Sequence, residues 1–305
     1  MSKKIILLAG PTASGKSKLA IEIAKKIKGE IINADSMQVY EDFSVLSSRP
    51  SKNDLKKVNH HLYGFLSSKK QFSTGAWLAL AKEKIKLCFK KNKTPILVGG
   101  TGLYFEAITK GMSKIPNIDF KKRNKVRELQ IKLGQKEFYK ELLILDPSVK
   151  NKIEPFDTQR SIRAYEVTKF TKKSIFEWYK FTKSDFKEFE IYKIFLDTPR
   201  EKILKNISER TKEMIKNNCI EEVQNFLKLK VNPTLSASKV IGIKEIQEYL
   251  DKKLELNEVI ELINIKTRQY AKRQATWSRG HMVDWKREYS NSFSELSKKI
   301  LKQLS

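Results

Sequence analysis

The chain of 305 residues has only two cysteines, Cys88 and Cys219. Two are too few for a disulfide framework, and they fit a reducing compartment such as the cytoplasm. Histidine is nearly as scarce, with His60, His61 and His281. Neither these nor the cysteines show the spacing of a metal-ligand cluster. No stretch approaches the ~20 consecutive apolar residues that span a bilayer, so no membrane segment is expected. The apolar run in "KKIILLAG" is too short for a secretory leader. Acidic residues are in deficit: 35 Asp and Glu stand against 62 Lys and Arg, a formal net charge of +27. A polyanion such as nucleic acid is the natural partner for that excess. Only 11 of the basic residues are Arg, so solvated lysine faces account for much of the charge too.

What is present is ordinary globular composition, 40% hydrophobic and 10% aromatic, enough for a folded core. The first hundred residues alternate strand and helix. "KIILL" (4–8), "EIINA" (30–34) and "PILVG" (95–99) are short buried strands. "GKSKLAIEIAKKI" (15–27) and "STGAWLALAKEKIKLCFKKN" (73–92) are helices, the second capped by Ser73 or Thr74, and "TGLYFEAIT" opens another at 101. This alternation predicts an α/β fold with a parallel sheet covered on both faces. After Gly111 the texture becomes helical and basic until "EIYKIFLD" (190–197) resumes a strand. The reading is a core of residues 1–112 plus 188–305, ending in helices over 199–217, 219–229, 243–252 and 256–279, with a helical insertion at 113–187. In the last helix Ile263, Tyr270 and Trp277 recur every seven residues as an apolar stripe, with Arg268, Lys272 and Arg279 opposite.

Between the first strand and helix lies Gly10-Pro11-Thr12-Ala13-Ser14-Gly15-Lys16-Ser17, a complete G-x-x-x-x-G-K-S/T phosphate loop. The glycines let backbone N–H groups turn toward an anion, Lys16 supplies a point charge, and Ser17 supplies a hydroxyl for Mg²⁺. The helix N-terminus adds its dipole. The strand "PILVGGTG", in contrast, ends in glycines and Thr101, without the Mg²⁺-binding Asp usual in ATPases. A motor is disfavoured, and a small P-loop transferase or kinase remains. Asp35, just past the second strand, falls at the sheet edge where ligands bind. It is a candidate proton acceptor there, although capping the next segment is Asp's commoner role.

In order along the chain, "GPTASGKS", "DSMQVY", "LVGGTGLY", "QRSIRAYEV", "IGIKE" and "TRQYAKRQATW" resemble the tRNA dimethylallyltransferase (tRNA isopentenyltransferase) family over residues 4 to about 285. The resemblance implies a P-loop NTPase-like core and transfer of a five-carbon prenyl group from dimethylallyl diphosphate. The acceptor would be N6 of the adenosine immediately 3′ of the anticodon, in tRNAs reading codons that begin with U. It implies that the loop 10–17 and Arg210 bind the diphosphate with Mg²⁺, that Asp35 is the general base, and that Thr101 is its partner at the reacting centre. It assigns tRNA contacts to Asp35, Ser36, Met37, Gln38 and Thr101; to Arg123, Gln159, Arg160, Ser161, Ile162 and Arg163; to Val240, Ile241, Gly242, Ile243 and Lys244; and to Thr267, Arg268, Gln269, Tyr270, Ala271, Lys272, Arg273 and Gln274. The insertion is expected to grip the anticodon stem-loop, and the enzyme to act as a cytoplasmic monomer.

The chain departs from the family pattern in places: "FDTQR" where "NDPQR" is usual, "LSSRP" (46–50) for "GTAKP", and "IGIKE" for "IGYKE". A P-loop kinase of a small molecule or nucleoside explains the loop and Asp35, but not the basic last helix or the arginines of the insertion. An RNA-binding regulator with a degenerate loop is disfavoured by intact Lys16 and Ser17.

Overall fold

A computed structural model describes residues 3–304. The described chain forms two compact units. One joins the chain up to Thr109 with the chain from Phe186 onward, and the other is Lys110–Asp185. The insertion thus starts at Lys110, where the change of sequence texture suggested 113.

The first unit runs β1 (Lys4–Ala9), α1 (Lys16–Lys26), β2 (Gly29–Asn33), α2 (Lys52–Lys57), β3 (His60–His61), α3 (Thr74–Lys90), β4 (Thr94–Gly99) and α4 (Gly102–Thr109). The second unit contains α5 (Phe120–Leu145), α6 (Thr158–Thr171) and α7 (Ile175–Tyr179). The chain then returns with β5 (Glu190–Leu196), α8 (Arg200–Lys216), α9 (Cys219–Lys228), α10 (Ile243–Leu250), α11 (Leu256–His281), β6 (Lys286–Glu288) and α12 (Phe293–Leu304).

The six strands form one parallel sheet in the order β3-β2-β4-β1-β5-β6. Side chains of β1 alternate between two cores, as strand geometry requires. Ile5, Leu7 and Ala9 pack with Trp77, Ile85 and Phe105 of α3 and α4. Ile6 and Leu8 pack with Leu19, Ile23, Leu296 and Ile300 of α1 and α12. A third core joins Val39, Tyr40 and Phe43 to α9, α10 and α11. In the second unit, Phe138, Leu142, Ala164 and Val167 bind α5 to α6, and α5 breaks at Gly134.

β3 and β6 are additions to the expected sheet. At two and three residues they are too short to carry a periodic signal. The buried stripe of α11 also differs from expectation: it is Val259, Ile263, Thr267 and Ala271, at four-residue steps. The small Ala271 packs with Ile203 and Ile207 of α8, while Tyr270 and Trp277 stay half-buried. Trp277 packs against the core around α3 and α4 and stacks on His281, with ring centroids 4.3 Å apart.

One core contact bears on the site. Trp77 is fully buried, stacks on Tyr104 at 4.1 Å, and donates its indole N–H to the Asn33 carbonyl at 2.8 Å. Trp77→Phe removes that donor and leaves a buried carbonyl unpaired. The expected destabilisation is about 1–3 kcal/mol, read from urea unfolding; an unchanged midpoint would show the bond to be unimportant.

Candidate active site

The phosphate loop leaves the C-terminal end of β1 and runs into α1. Gly15 starts the helix at φ 88°, a left-handed conformation suited to glycine, and any Cβ there would lie 2.3 Å from the ring of Phe293. The loop is tied from outside. Thr198 donates its hydroxyl to the Ser14 carbonyl at 3.0 Å, and Asn206 its amide to the Ala13 carbonyl at 2.8 Å. These bonds turn the loop carbonyls away from the cradle. Within the loop, Ser14 N–H bonds to the Pro11 carbonyl at 3.2 Å and Thr12 N–H to Gln274 Oε1 at 2.8 Å. With the Thr12 and Ser14 amides engaged, those of Ala13, Gly15, Lys16 and Ser17 are left to face an anion.

Arg210 reaches the loop from α8, donating from its guanidinium to Thr12 Oγ1 at 2.7 Å. The neighbouring glutamates are taken by lysines, Glu209 with Lys205 and Glu213 with Lys216, so Arg210 is not a surface ion pair. Arg210 Nε and Ser14 Oγ are buried without a hydrogen-bond partner among the described residues. Unpaired buried donors are costly, and both donors suit an anion. Lys16 keeps part of its surface exposed, but its ammonium is desolvated and, among the described residues, hydrogen-bonds to the Pro11 carbonyl alone, at 3.2 Å. Desolvation pulls its pKa down to about 8, against the attraction of Asp35 and with further lowering by Arg210.

Asp35 sits on a rigid turn. Asn33 Oδ1 accepts the Asp35 amide at 2.8 Å, and Asn33 Nδ2 donates to the carbonyls of Asp35 (3.0 Å) and Leu62 (2.9 Å). Asp35 Oδ1 accepts the Met37 amide at 3.0 Å. Thr101 joins the same turn: its hydroxyl accepts the Ser36 amide at 2.9 Å and donates to Ser36 Oγ at 3.2 Å. Asp35 also raises the pKa of Tyr104 and Tyr270, adding to the larger effect of their burial.

Thr12, Asp35, Arg210, Tyr270 and Arg273 line a cavity of about 300 Å³ together with the apolar Met37, Leu46, Met214, Ile241 and Ile263. The lining combines charged and apolar groups, as an amphiphilic organic anion would require. The loop 46–50, whose sequence departs from the family pattern, contributes Leu46 and Ser47. It is braced by Glu222, which accepts the amides of Val45 and Leu46 at 2.9 and 2.7 Å, and by Gln38 Nε2, which donates to the Ser47 and Ser48 carbonyls.

The other candidate RNA contacts are unequal. Gln159 and Arg160 are exposed, but Arg160 pairs with the cap residue Asp157. Ser161 is fully buried and Ile162 packs into the second unit's core. Arg123 and Arg163 converge on the buried Glu166, at 3.5 and 3.4 Å. Val240 and Ile243 are core residues, Gly242 is a helix start at φ 106°, and Lys244 pairs with Glu248 on the surface. In α11, Thr267 and Ala271 are buried, Arg268 pairs with Glu261, and Gln269, Lys272 and Arg273 are exposed. The sequence reading missed Asn206 and Thr198, which lie outside every quoted motif, and Glu166, which lies inside "QRSIRAYEV" but was given no role.

Contrary to expectation, Glu30, His61 and Cys88 come together, with their ligand atoms within 4.8 Å of one another. They lie at the N-terminal end of the strands, away from the phosphate loop. His61 Nε2 is 2.6 Å from Glu30 Oε2, a direct hydrogen bond. Two ligands on one tetrahedral ion would stand about 3.3 Å apart, given bonds of about 2.0 Å. The trio is read as a hydrogen-bonded core cluster.

For Mg²⁺ the donor chemistry fits. Ser17 is exposed at the first turn of α1, and Asp35 is the carboxylate facing Lys16 and Arg210. Hard oxygen donors completed by phosphate oxygens suit that ion.

Comparison with known proteins follows the same direction. The model of the IPP transferase family matches residues 38–281. A tRNA dimethylallyltransferase of Pelagibacter ubique is 55% identical over 282 residues, covering 92% of this chain and 90% of the relative. One from Rickettsia massiliae is 42% identical over 306 residues, covering 99% of this chain and 84% of the relative. Among solved structures, the tRNA isopentenylpyrophosphate transferase of Bacillus halodurans is similar with a TM-score of 0.70 at 27% identity, covering 99% of this chain and 95% of that one. A eukaryotic dimethylallyltransferase described as acting on tRNA gives 0.78 at 28% identity, covering 91% and 70%.

The lowered pKa of Lys16 makes a pH prediction. An anion binds the protonated ammonium and raises its pKa. Affinity for an organic diphosphate, whose own charge is constant here, should therefore hold below pH 8 and fall above it, by up to about tenfold per unit. Calorimetric titrations from pH 7 to about 9.5 check this; flat affinity across that range would contradict it.

Proposed function

The chain belongs to the IPP transferase family and acts as tRNA dimethylallyltransferases do, and from that premise we propose how its residues carry the transfer. The prenyl donor is dimethylallyl diphosphate and the acceptor is N6 of the adenosine 3′ of the anticodon. The observation that carries this reading is one cavity in which Thr12 of the phosphate loop and Arg210, whose Nε has no partner among the described residues, meet the Asp35 carboxylate and an apolar wall.

The diphosphate rests on the amides of the loop, with Lys16, Arg210 and Ser14 Oγ around it. Mg²⁺, held by Ser17 and phosphate oxygens, would neutralise charge on the leaving group. The apolar lining at Met37, Leu46 and Met214 takes the prenyl chain. The exocyclic amine attacks the allylic carbon, the carbon–oxygen bond breaks, and the electron pair leaves on the diphosphate. Loop donors stabilise that growing charge. Asp35 takes the proton released by the amine as the carbon–nitrogen bond forms. The Thr101 hydroxyl spends its proton on Ser36 and one lone pair on the Ser36 amide. Its remaining lone pair can accept from the amine's other N–H and orient it.

The adenine must leave the anticodon stack, at a cost of about a few kcal/mol. Tyr270, with the Arg273 guanidinium 6.0 Å from its ring centroid, offers a plane to receive the base. Gln269, Lys272 and Arg273 meet the backbone of the RNA, and Arg123, Arg160 and Arg163 extend the grip from the insertion. A monomer acting in the cytoplasm is part of the same proposal; both cysteines are free and buried.

The test uses unmodified tRNA, labelled dimethylallyl diphosphate and Mg²⁺, reading label in RNA. Asp35→Asn keeps the acceptor for Met37 but is a poor base. It should lower kcat by about 10²–10⁴-fold while tRNA affinity stays within about twofold. Lost affinity with normal kcat would make Asp35 a binding residue instead.

A further inference from the structure

Gln274 closes the segment that the sequence assigns to RNA, yet its amide is used inside the protein. Its Oε1 accepts the Thr12 N–H at 2.8 Å, and its Nε2 donates to the Gly100 carbonyl at 2.9 Å. Both ends of the side-chain amide, acceptor and donor, are thus engaged. The partners settle which end is oxygen: an N–H faces one atom and a carbonyl the other.

These partners belong to two different machines. Thr12 is the phosphate-loop residue that Arg210 holds by its hydroxyl. Gly100 precedes Thr101 and follows β4. A Cβ on Gly100 would lie 2.1 Å from Gln274 Nε2 and 3.4 Å from Asp35 Oδ2. Glycine at this position is what lets the amide seat beside the carboxylate. One side chain on α11 thus bridges the loop after β1 and the loop after β4.

We propose that Gln274 is a positioning residue that fixes the spacing between the phosphate cradle and the Asp35–Thr101 pair, and is not an RNA contact. The assignment rests on the function proposed above, because the distance it sets is that between leaving group and nucleophile. Transfer needs both held in line. A misplacement of about 1 Å costs on the order of a hundredfold in rate. Residues flanking it keep the RNA role: Lys272 and Arg273 are exposed.

Two variants test it from opposite sides. Gln274→Met keeps the length and removes both hydrogen bonds. Gly100→Ala keeps Gln274 and drives its amide off the carbonyl. Each is measured three ways: pyrophosphate affinity by calorimetry with Mg²⁺, anticodon stem-loop affinity by fluorescence anisotropy, and kcat for transfer. Both variants should lose about tenfold in pyrophosphate affinity and about a hundredfold in kcat, with stem-loop affinity within about twofold. Retained stem-loop binding also reports that the variant is folded. Weakened stem-loop binding with unchanged pyrophosphate affinity would overturn the proposal, as would no change in any readout. If the wild-type protein transfers nothing, the proposed function fails, while the two binding measurements still decide the role of Gln274.

Discussion

Two desolvated cations beside one carboxylate govern this site. Lys16 and Arg210 both feel burial, which lowers the pKa of each, and both are drawn to Asp35. One negative charge does not balance two positive ones in a medium less polar than water. An anionic ligand completes the balance, and the neighbouring Ser14 Oγ and Arg210 Nε are donors ready for it. The same arrangement leaves Asp35 close to the reacting centre.

Much of the surrounding structure keeps those three groups in place. Asn33 and Trp77 hold the turn that carries Asp35, and Ser36 locks Thr101 onto it. Thr198 and Asn206 pull loop carbonyls outward so that amides remain for the ligand. Gln274 ties the two sides together. The sheet supplies the frame: β1, β2 and β4 end at one edge, where their loops meet, in keeping with ligand placement in open parallel sheets. The apolar wall comes from a separate core around α9 to α11, so in the proposed reaction donor charge and prenyl chain would be handled by different parts of the first unit.

The sequence made the phosphate loop, the strand–helix alternation and the helical insertion legible because each has a periodic or fixed-spacing signature. Asp35 stood out by its position after a strand. Arg210 did not; it entered only through the family resemblance, and the fold shows its neighbouring glutamates paired with lysines. Tertiary pairing also hid Glu166, which gathers two arginines, and the trio of Glu30, His61 and Cys88. β3 and β6 were too short to see, whereas α12 had a readable signal in Phe293, Leu296 and Ile300. The stripe on α11 was read in part: Ile263 is core and Trp277 packs against the core, whereas the buried positions Thr267 and Ala271 escaped notice because they are not strongly apolar. Ala271 packs with Ile203 and Ile207 of α8. Gln274 was grouped with its RNA-facing neighbours because helix spacing alone does not tell an inward amide from an outward one.

The central claim is that the phosphate loop holds a leaving group bonded to carbon, so that transfer breaks a carbon–oxygen bond. Dimethylallyl diphosphate labelled with ¹⁸O at the bridging position between carbon and phosphorus tests it directly. After one round of transfer to tRNA, mass spectrometry should find the label wholly in released pyrophosphate, with prenylated adenosine free of it. Label found in dimethylallyl alcohol instead of pyrophosphate, as cleavage of the phosphorus–oxygen bond would give, or release of inorganic phosphate from a nucleoside triphosphate in step with modification, would contradict the account.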